Sequence, residues 1–181
     1  MSLHRRVLVL GGARSGKSRI AQQLAEASRA LPILIATAQG FDDEMRERIV
    51  HHRAERAPSW QTHEVPIDLA DALRAHAGPG RVVVVDCLTL WLSNVMLDGR
   101  DAAREGGLLI ETLKTVEGPV VLVSNEVGQG IVPSTALGRS FRDEQGRLNQ
   151  RIADVCDAVV FVAAGCPLLL KPAPRLCLDL G

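Results

Sequence analysis

The chain contains no tyrosine, and its other aromatic residues are three phenylalanines and two tryptophans in 181 residues. Without aromatic bulk, Ala, Leu and Val must fill most of the core. There is no excess of either charge: 21 Lys plus Arg face 21 Asp plus Glu. That balance removes the electrostatic reason to expect nucleic acid or an anionic membrane as partner. No apolar run approaches the ~18 residues of a membrane span. Met1 to Arg6 lead into an apolar stretch too short for the core of a signal peptide, so a cytoplasmic protein is expected. The four cysteines, Cys87, Cys156, Cys166 and Cys177, form no C-x-x-C pair, and no histidine stands at a metal-ligand spacing from them. They read as scattered buried thiols of a cytosolic protein rather than as a disulfide framework or a structural zinc site.

Hydrophobic residues make up 46% and charged residues 23%, ordinary values for a globular chain. The length suits one nucleotide-binding domain over residues 1–181. Short β-branched runs alternate with longer helical patterns. Arg6–Leu10, Ile33–Ala36, Val82–Val85, Val120–Val123 and Val159–Val162 read as strands, with a sixth edge strand expected at Arg175–Leu180 after the stiff exit of Pro172 and Pro174. The Val82–Val85 run has no polar alternation, so both its faces should be buried. Asp98–Gly107 reads as a surface loop. This alternation predicts an α/β fold, a mainly parallel sheet with helices on both faces.

Directly after the first strand comes Gly11-Gly12-Ala13-Arg14-Ser15-Gly16-Lys17-Ser18. Gly11, Gly16, Lys17 and Ser18 satisfy G-x-x-x-x-G-K-[ST]. A helix is expected from Lys17 to about Ala30, with Ile20, Leu24 and Ala27 on one face. The chemistry needs these residue types. Glycines let backbone N–H groups turn inward around phosphate oxygens, and a helix N-terminus adds positive partial charge. Lys17 can reach the β and γ phosphates, and Ser18 can ligate Mg²⁺. The Mg²⁺ shell needs a carboxylate, and Asp86 closes the Val82–Val85 strand where such an acid belongs.

A cradle of this kind does not name the acceptor. Asp42–Arg56 has helical spacing, with acidic residues in its first turn. Met45, Ile49 and His52 share one face, and His51 points the other way among Glu44, Glu47, Arg48 and Glu55. His52 thus leans toward the apolar face and His51 toward the charges. A neutral imidazole near a triphosphate is a competent nucleophile toward phosphorus, and a solvated surface histidine is the alternative. Spacing leaves both open.

Further blocks follow in order: Ile35-Ala36-Thr37-Ala38, Asp42-Asp43-Glu44-Met45, Arg48-Ile49, His51-His52-Arg53, Val123-Ser124-Asn125-Glu126-Val127-Gly128, Gly130-Ile131-Val132-Pro133, and Phe141-Arg142-Asp143 with Gly146-Arg147-x-Asn149-Gln150. With the cradle, these resemble the bifunctional adenosylcobinamide kinase/adenosylcobinamide-phosphate guanylyltransferase of cobalamin biosynthesis, over about Val7 to Lys171. The resemblance implies a RecA-like P-loop fold, a homotrimer, and ATP and GTP as substrates. It also implies a reaction sequence. A γ-phosphate passes to the aminopropanol hydroxyl of adenosylcobinamide. GTP is then attacked at its α-phosphate by a histidine that maps to His51. The GMP finally passes to the phosphorylated corrinoid, giving adenosylcobinamide-GDP. Ala36, Thr37, Ala38, His52, Arg53, Ala54, Glu55, Glu64 and Asp86 match the family's guanine-nucleotide contacts.

Asn125 and Glu126 end a strand beside the cradle, where polar side chains can meet the γ-phosphate or the acceptor. Arg139, Arg142 and Arg147 either hold phosphates or form surface ion pairs. Trp91 reads first as core, with a corrinoid- or partner-facing role as the alternative. Two other functions compete: a P-loop kinase for another small molecule with His51 inert, and a non-catalytic GTP switch. A plain kinase would never carry GMP, and a switch would retain nucleotide without turnover.

Overall fold

The valine run at the centre of the chain sets the architecture. Strand β4 (Arg81–Asp86) turns Val83 and Val85 to one side and Val82 and Val84 to the other, all buried. The absence of polar alternation is therefore the signature of a strand covered twice. The computed structural model describes residues 5–39 and 59–173. Within them lie β1 (Arg6–Gly11), α1 (Lys17–Glu26), β2 (Leu31–Ala36), β3 (Gln61–Glu64), α2 (Leu69–His76), β4, α3 (Leu88–Leu97), α4 (Ala102–Thr115), β5 (Val120–Asn125), α5 (Ala136–Val155), β6 (Ala158–Ala163) and β7 (Cys166–Lys171).

The sheet runs in the order β3-β2-β4-β5-β1-β6-β7. Neighbours pair in parallel except β6 and β7, which form an antiparallel hairpin. Helices α2 to α5 cover one face through Leu73, Trp91, Leu109 and Ile152, against Leu8, Ile33, Val83 and Leu122. Helix α1 packs on the other face, against Val9, Leu34, Val84 and Val123.

Several elements differ from the sequence-based expectation. Helix α1 stops at Glu26, and its buried face is Lys17, Ala21 and Ala25. Leu24 is 42% exposed. Small residues let this helix lie close on the sheet, so its inner face is alanine rather than leucine. The loop expected over Asp98–Gly107 is shorter, because Asp101 accepts hydrogen bonds from the N–H groups of Ala103 and Arg104 and starts α4 there. Gly106 lies inside that helix and faces α5, where a Cβ would come to 3.4 Å from the Leu148 and Arg151 side chains.

The edge strand is Cys166–Lys171, and the one expected at Arg175–Leu180 lies outside the described residues. Ala164 (φ 51) and Gly165 (φ 78) make the two-residue turn into β7. Strand β3 is polar and mostly exposed, so it carried no apolar pattern to read. Trp91 is core, 1% exposed, with its indole N–H donating to the Ile67 carbonyl. Cys87 and Cys156 are buried thiols, whereas Cys166 is exposed on β7.

Candidate nucleotide-binding site

The site gathers at the C-terminal ends of the parallel strands, where an open α/β sheet places its ligand crevice. Strand β1 ends at Gly11, and the chain then turns through Arg14 (φ 55) and Gly16 (φ 97) into α1. Positive φ at these points curls the backbone into a concave loop. Among the described residues no side chain caps the start of α1, and its first turn carries no acidic residue. Its first N–H donors thus remain for an anion.

The loop is also tightly confined. A Cβ on Gly11 would lie 2.3 Å from the Val162 carbonyl oxygen and 2.7 Å from Ser15 Oγ. The Gly165 N–H donates to the Ser15 carbonyl at 2.8 Å, so the β6–β7 turn braces the cradle. Ser15 Oγ is buried with no hydrogen-bond partner among the described residues.

Lys17 is 7% exposed, and its Nζ donates to the Gly12 carbonyl at 2.5 Å. Burial lowers its pKa from the ordinary lysine value, and Cys87 and Asp86 act in the opposite sense. The ammonium is therefore folded over the loop with Asp86 in electrostatic reach. Ser18 follows on the same helix turn, half-buried.

Three strand ends stand side by side at this edge. Ala36 of β2 pairs in register with Asp86 of β4 and with Glu64 of β3. Thr37 continues from Ala36 and is fully buried. Its N–H donates to the Asp86 carbonyl, and its hydroxyl donates to the Cys87 carbonyl at 2.7 Å and accepts from the Cys87 N–H at 2.9 Å. Asn94 Nδ2 donates to the Thr37 carbonyl at 2.8 Å. Thr37 thus ties the end of β2 to the turn carrying Asp86, while Ala36 and Ala38 flank it, half-buried.

Strand β5 lies between β1 and β4. Asn125 stands opposite Gly11 in register, and the Glu126 N–H donates to the Gly11 carbonyl at 3.1 Å. The Glu126 carboxylate accepts from the Gly128 N–H. Arg139 donates to the carbonyls of Pro133 and Ser134, Arg142 pairs with Asp143, and Arg147 pairs with Glu144.

The structure thus brings together Gly11–Ser18, Ala36–Ala38, Glu64, Asp86 and Asn125. His51, His52, Arg53, Ala54 and Glu55 lie outside the described residues. Sequence reasoning did not single out Thr89, Asn94 and Gln145, and Ser124 and Asn149 entered it only as members of the resemblance blocks. A readable signal existed for Gln145 and Asn149: two amides at i and i+4 on the helix face that also carries Leu148 and Ile152.

No group of three or more His, Cys, Asp or Glu among the described residues could hold a metal ion by itself. A Ser hydroxyl and one carboxylate still suit Mg²⁺, which keeps waters and takes its remaining ligands from phosphate oxygens.

A glycine cradle between strand and helix, with one strand separating it from the strand of the acidic residue, defines a P-loop protein of RecA-like fold. A solved structure from Pyrococcus horikoshii OT3 shares this fold at TM-score 0.52 and 8% identity, covering 92% of this chain and 86% of that one. The chain belongs to the cobinamide kinase / cobinamide phosphate guanyltransferase family, whose model matches residues 7–170. It is 49% identical over 171 residues to the bifunctional adenosylcobalamin biosynthesis protein CobP of Pseudomonas aeruginosa, covering 93% of this chain and 99% of that one. It is 40% identical over 180 residues to the bifunctional adenosylcobalamin biosynthesis protein CobU of Escherichia coli, covering 91% and 99%.

Proposed function

We propose that this enzyme phosphorylates adenosylcobinamide with ATP or GTP and then transfers GMP from GTP to the product through a guanylylated His51. The family match carries the reaction class, and the cradle at the same sheet edge as Asn125 and Asp86 supports a shared triphosphate seat. In the first step the acceptor hydroxyl oxygen bonds to the γ-phosphorus, its proton leaves, and a nucleoside diphosphate departs. In the second, a His51 ring nitrogen bonds to the α-phosphorus of GTP and pyrophosphate departs. In the third, a phosphate oxygen of the phosphorylated corrinoid displaces the histidine, giving adenosylcobinamide-GDP.

Within this reading Lys17 and the Gly11–Ser18 amides hold the β and γ phosphates, so charge on the leaving oxygen is stabilised by donors already in place. Ser18 and Asp86 hold Mg²⁺, which neutralises phosphate charge when bound. Ala36, Thr37, Ala38, His52, Arg53, Ala54, Glu55 and Glu64 contact the guanine nucleotide, with Thr37 keeping the adjoining strand ends together. The same reading makes the chain a single-domain cytoplasmic protein that assembles as a homotrimer. Exposed Leu97, Ile131 and Leu137 offer apolar surface for that assembly.

The test is direct. Purified protein with adenosylcobinamide and GTP should yield first the phosphate ester and then the GDP derivative, separated by chromatography and identified by mass. ATP alone should stop at the phosphate ester if it serves the first step. Absence of both products with active corrinoid would overturn the proposal. Sedimentation of the purified protein as a monomer would overturn the trimer.

A further inference from the structure

The end of β5 extends past its neighbour. The last β4 rung pairs Asp86 with Val123, so Ser124 and Asn125 have no β4 partner. Backbone groups left unpaired in a protein interior are costly, and here side chains replace the missing strand. Thr89 Oγ1, from the first turn of α3, accepts from the Asn125 N–H at 2.8 Å. Asn149 Nδ2, from α5, donates to the Asn125 carbonyl at 3.1 Å.

Asn149 is itself held. The Ser124 hydroxyl donates to Asn149 Oδ1 at 2.7 Å, and Gln145 Nε2 donates to the same oxygen and to Ser124 Oγ, both at 2.9 Å. Ser124 and Gln145 are fully buried, and Asn149 is 5% exposed. Gln145 Oε1 has no partner among the described residues. An apolar pair would fill this space without an orphaned acceptor, so packing alone does not account for these amides.

We propose that Asn149, supported by Gln145 and Ser124, is a positioning residue for γ-phosphoryl transfer. A peptide group is planar, so pinning the N–H before and the C=O after the Asn125 Cα fixes both backbone dihedrals there. The direction of the Asn125 Cα–Cβ bond, from which its amide reaches out, follows from those dihedrals. Asn125 stands opposite Gly11, the first glycine of the cradle. The network thus transmits the placement of α5 to the polar side chain beside the reacting phosphate. This rests on the kinase reading above.

Releasing the carbonyl should disturb geometry at the γ-phosphorus more than at the α-phosphorus, where a different bond breaks. The variants are Asn149→Ala and Gln145→Met. Gln145→Met removes two donors and also the orphaned acceptor, so its fold should be retained even if Asn149→Ala proves unstable. Three readouts are taken on each: melting temperature, kcat and nucleotide KM for cobinamide phosphorylation, and enzyme-bound label from GTP carrying an α-phosphate label.

The expected result is a fall in phosphorylation kcat of about tenfold or more, in line with the penalty for displacing a positioned group. Nucleotide KM and α-label incorporation should stay within about threefold of wild type, since uniform binding is untouched. Parallel loss of both activities, or wild-type kcat in a folded Gln145→Met, overturns the proposal alone. A wild-type protein that transfers no γ-phosphate to cobinamide overturns the kinase reading and this proposal with it.

Discussion

Replacing Lys17 by methionine separates what the cradle does for catalysis from what it does for stability. The side chain keeps its length and loses its charge. Lys17 is 7% exposed and donates to the Gly12 carbonyl, so water cannot readily take the place of the ammonium beside a bound phosphate. The gross attraction between unit charges at 4 Å is about 4 kcal/mol at an effective dielectric of 20. A charge-assisted hydrogen bond contributes about 1.5–3 kcal/mol net. A loss of about 3 kcal/mol in the transition state corresponds to roughly a hundredfold or more in kcat/KM. Stability should move the other way or not at all, because burial already disfavours the charged amine. The assay pairs steady-state phosphorylation of adenosylcobinamide and α-label incorporation with thermal melts of the protein alone. The reasoning is refuted if Lys17→Met keeps kcat/KM within threefold, or if it labels from GTP at the full wild-type rate. Full-rate labelling by a variant that has lost phosphorylation would mean that the two half-reactions do not share this cradle, and unchanged phosphorylation would mean that the Lys17 charge does not act on the transferred phosphate.

Three further outcomes follow from the geometry. Gly11→Ala places a Cβ 2.3 Å from the Val162 carbonyl, which forces β1 and β6 apart, so urea melts should show a loss of about 1–3 kcal/mol together with weakened nucleotide binding. Asp86→Asn should raise the Mg²⁺ concentration needed for half-maximal phosphorylation by about 10- to 100-fold; an unchanged Mg²⁺ requirement would remove Asp86 from the metal shell. Burial pushes the Cys156 thiol up to about 12 from 9.0, so the unfolded chain ionises first as pH rises. Its contribution is intact below pH 9.0 and is lost progressively from there to about 12. Cys156→Ala should therefore flatten the alkaline fall in stability, by about 1.4 kcal/mol between pH 8 and 10.

The parts of this fold visible in the sequence are those with a local chemical signature. The β1 strand, the glycines and Lys17 are contiguous, so the cradle could be read without knowing its neighbours. The valine run predicted a doubly covered strand because no residue in it tolerates water. Other features depend on partners distant in sequence. Gln61–Glu64 is a strand only because Ile33–Ala36 offers it an edge. Cys166–Lys171 pairs back on β6 through Ala164 and Gly165, a hairpin signal outweighed by the prolines that follow. Gly106 looks like a loop residue until α5 is packed against it. Arg6 begins a strand in the sequence, yet its buried guanidinium donates to the carbonyls of Leu113 in the last turn of α4 and of Gly118 in the loop that follows.

The site divides in the same way. Glu64, Ala36 and Asp86 are far apart in the chain and adjacent in register. Asn125 could be suspected from its strand-end position, but its anchoring by Thr89 and Asn149 could not. Thr37 was named from the resemblance as a nucleotide contact, and the fold adds a bracing role to it. Asn94, which completes that brace, offered no signal beyond being a polar residue on an apolar helix.

The central claim is that one cradle serves attack at two different phosphorus atoms, with His51 receiving the GMP. It is tested most directly by incubating the protein with GTP labelled at the α-phosphate, denaturing it, and following the label through acid treatment. The account predicts retained, acid-labile label in the wild type and in His52→Ala, and none in His51→Ala. Label that never appears, or that persists at wild-type level in His51→Ala, would contradict it.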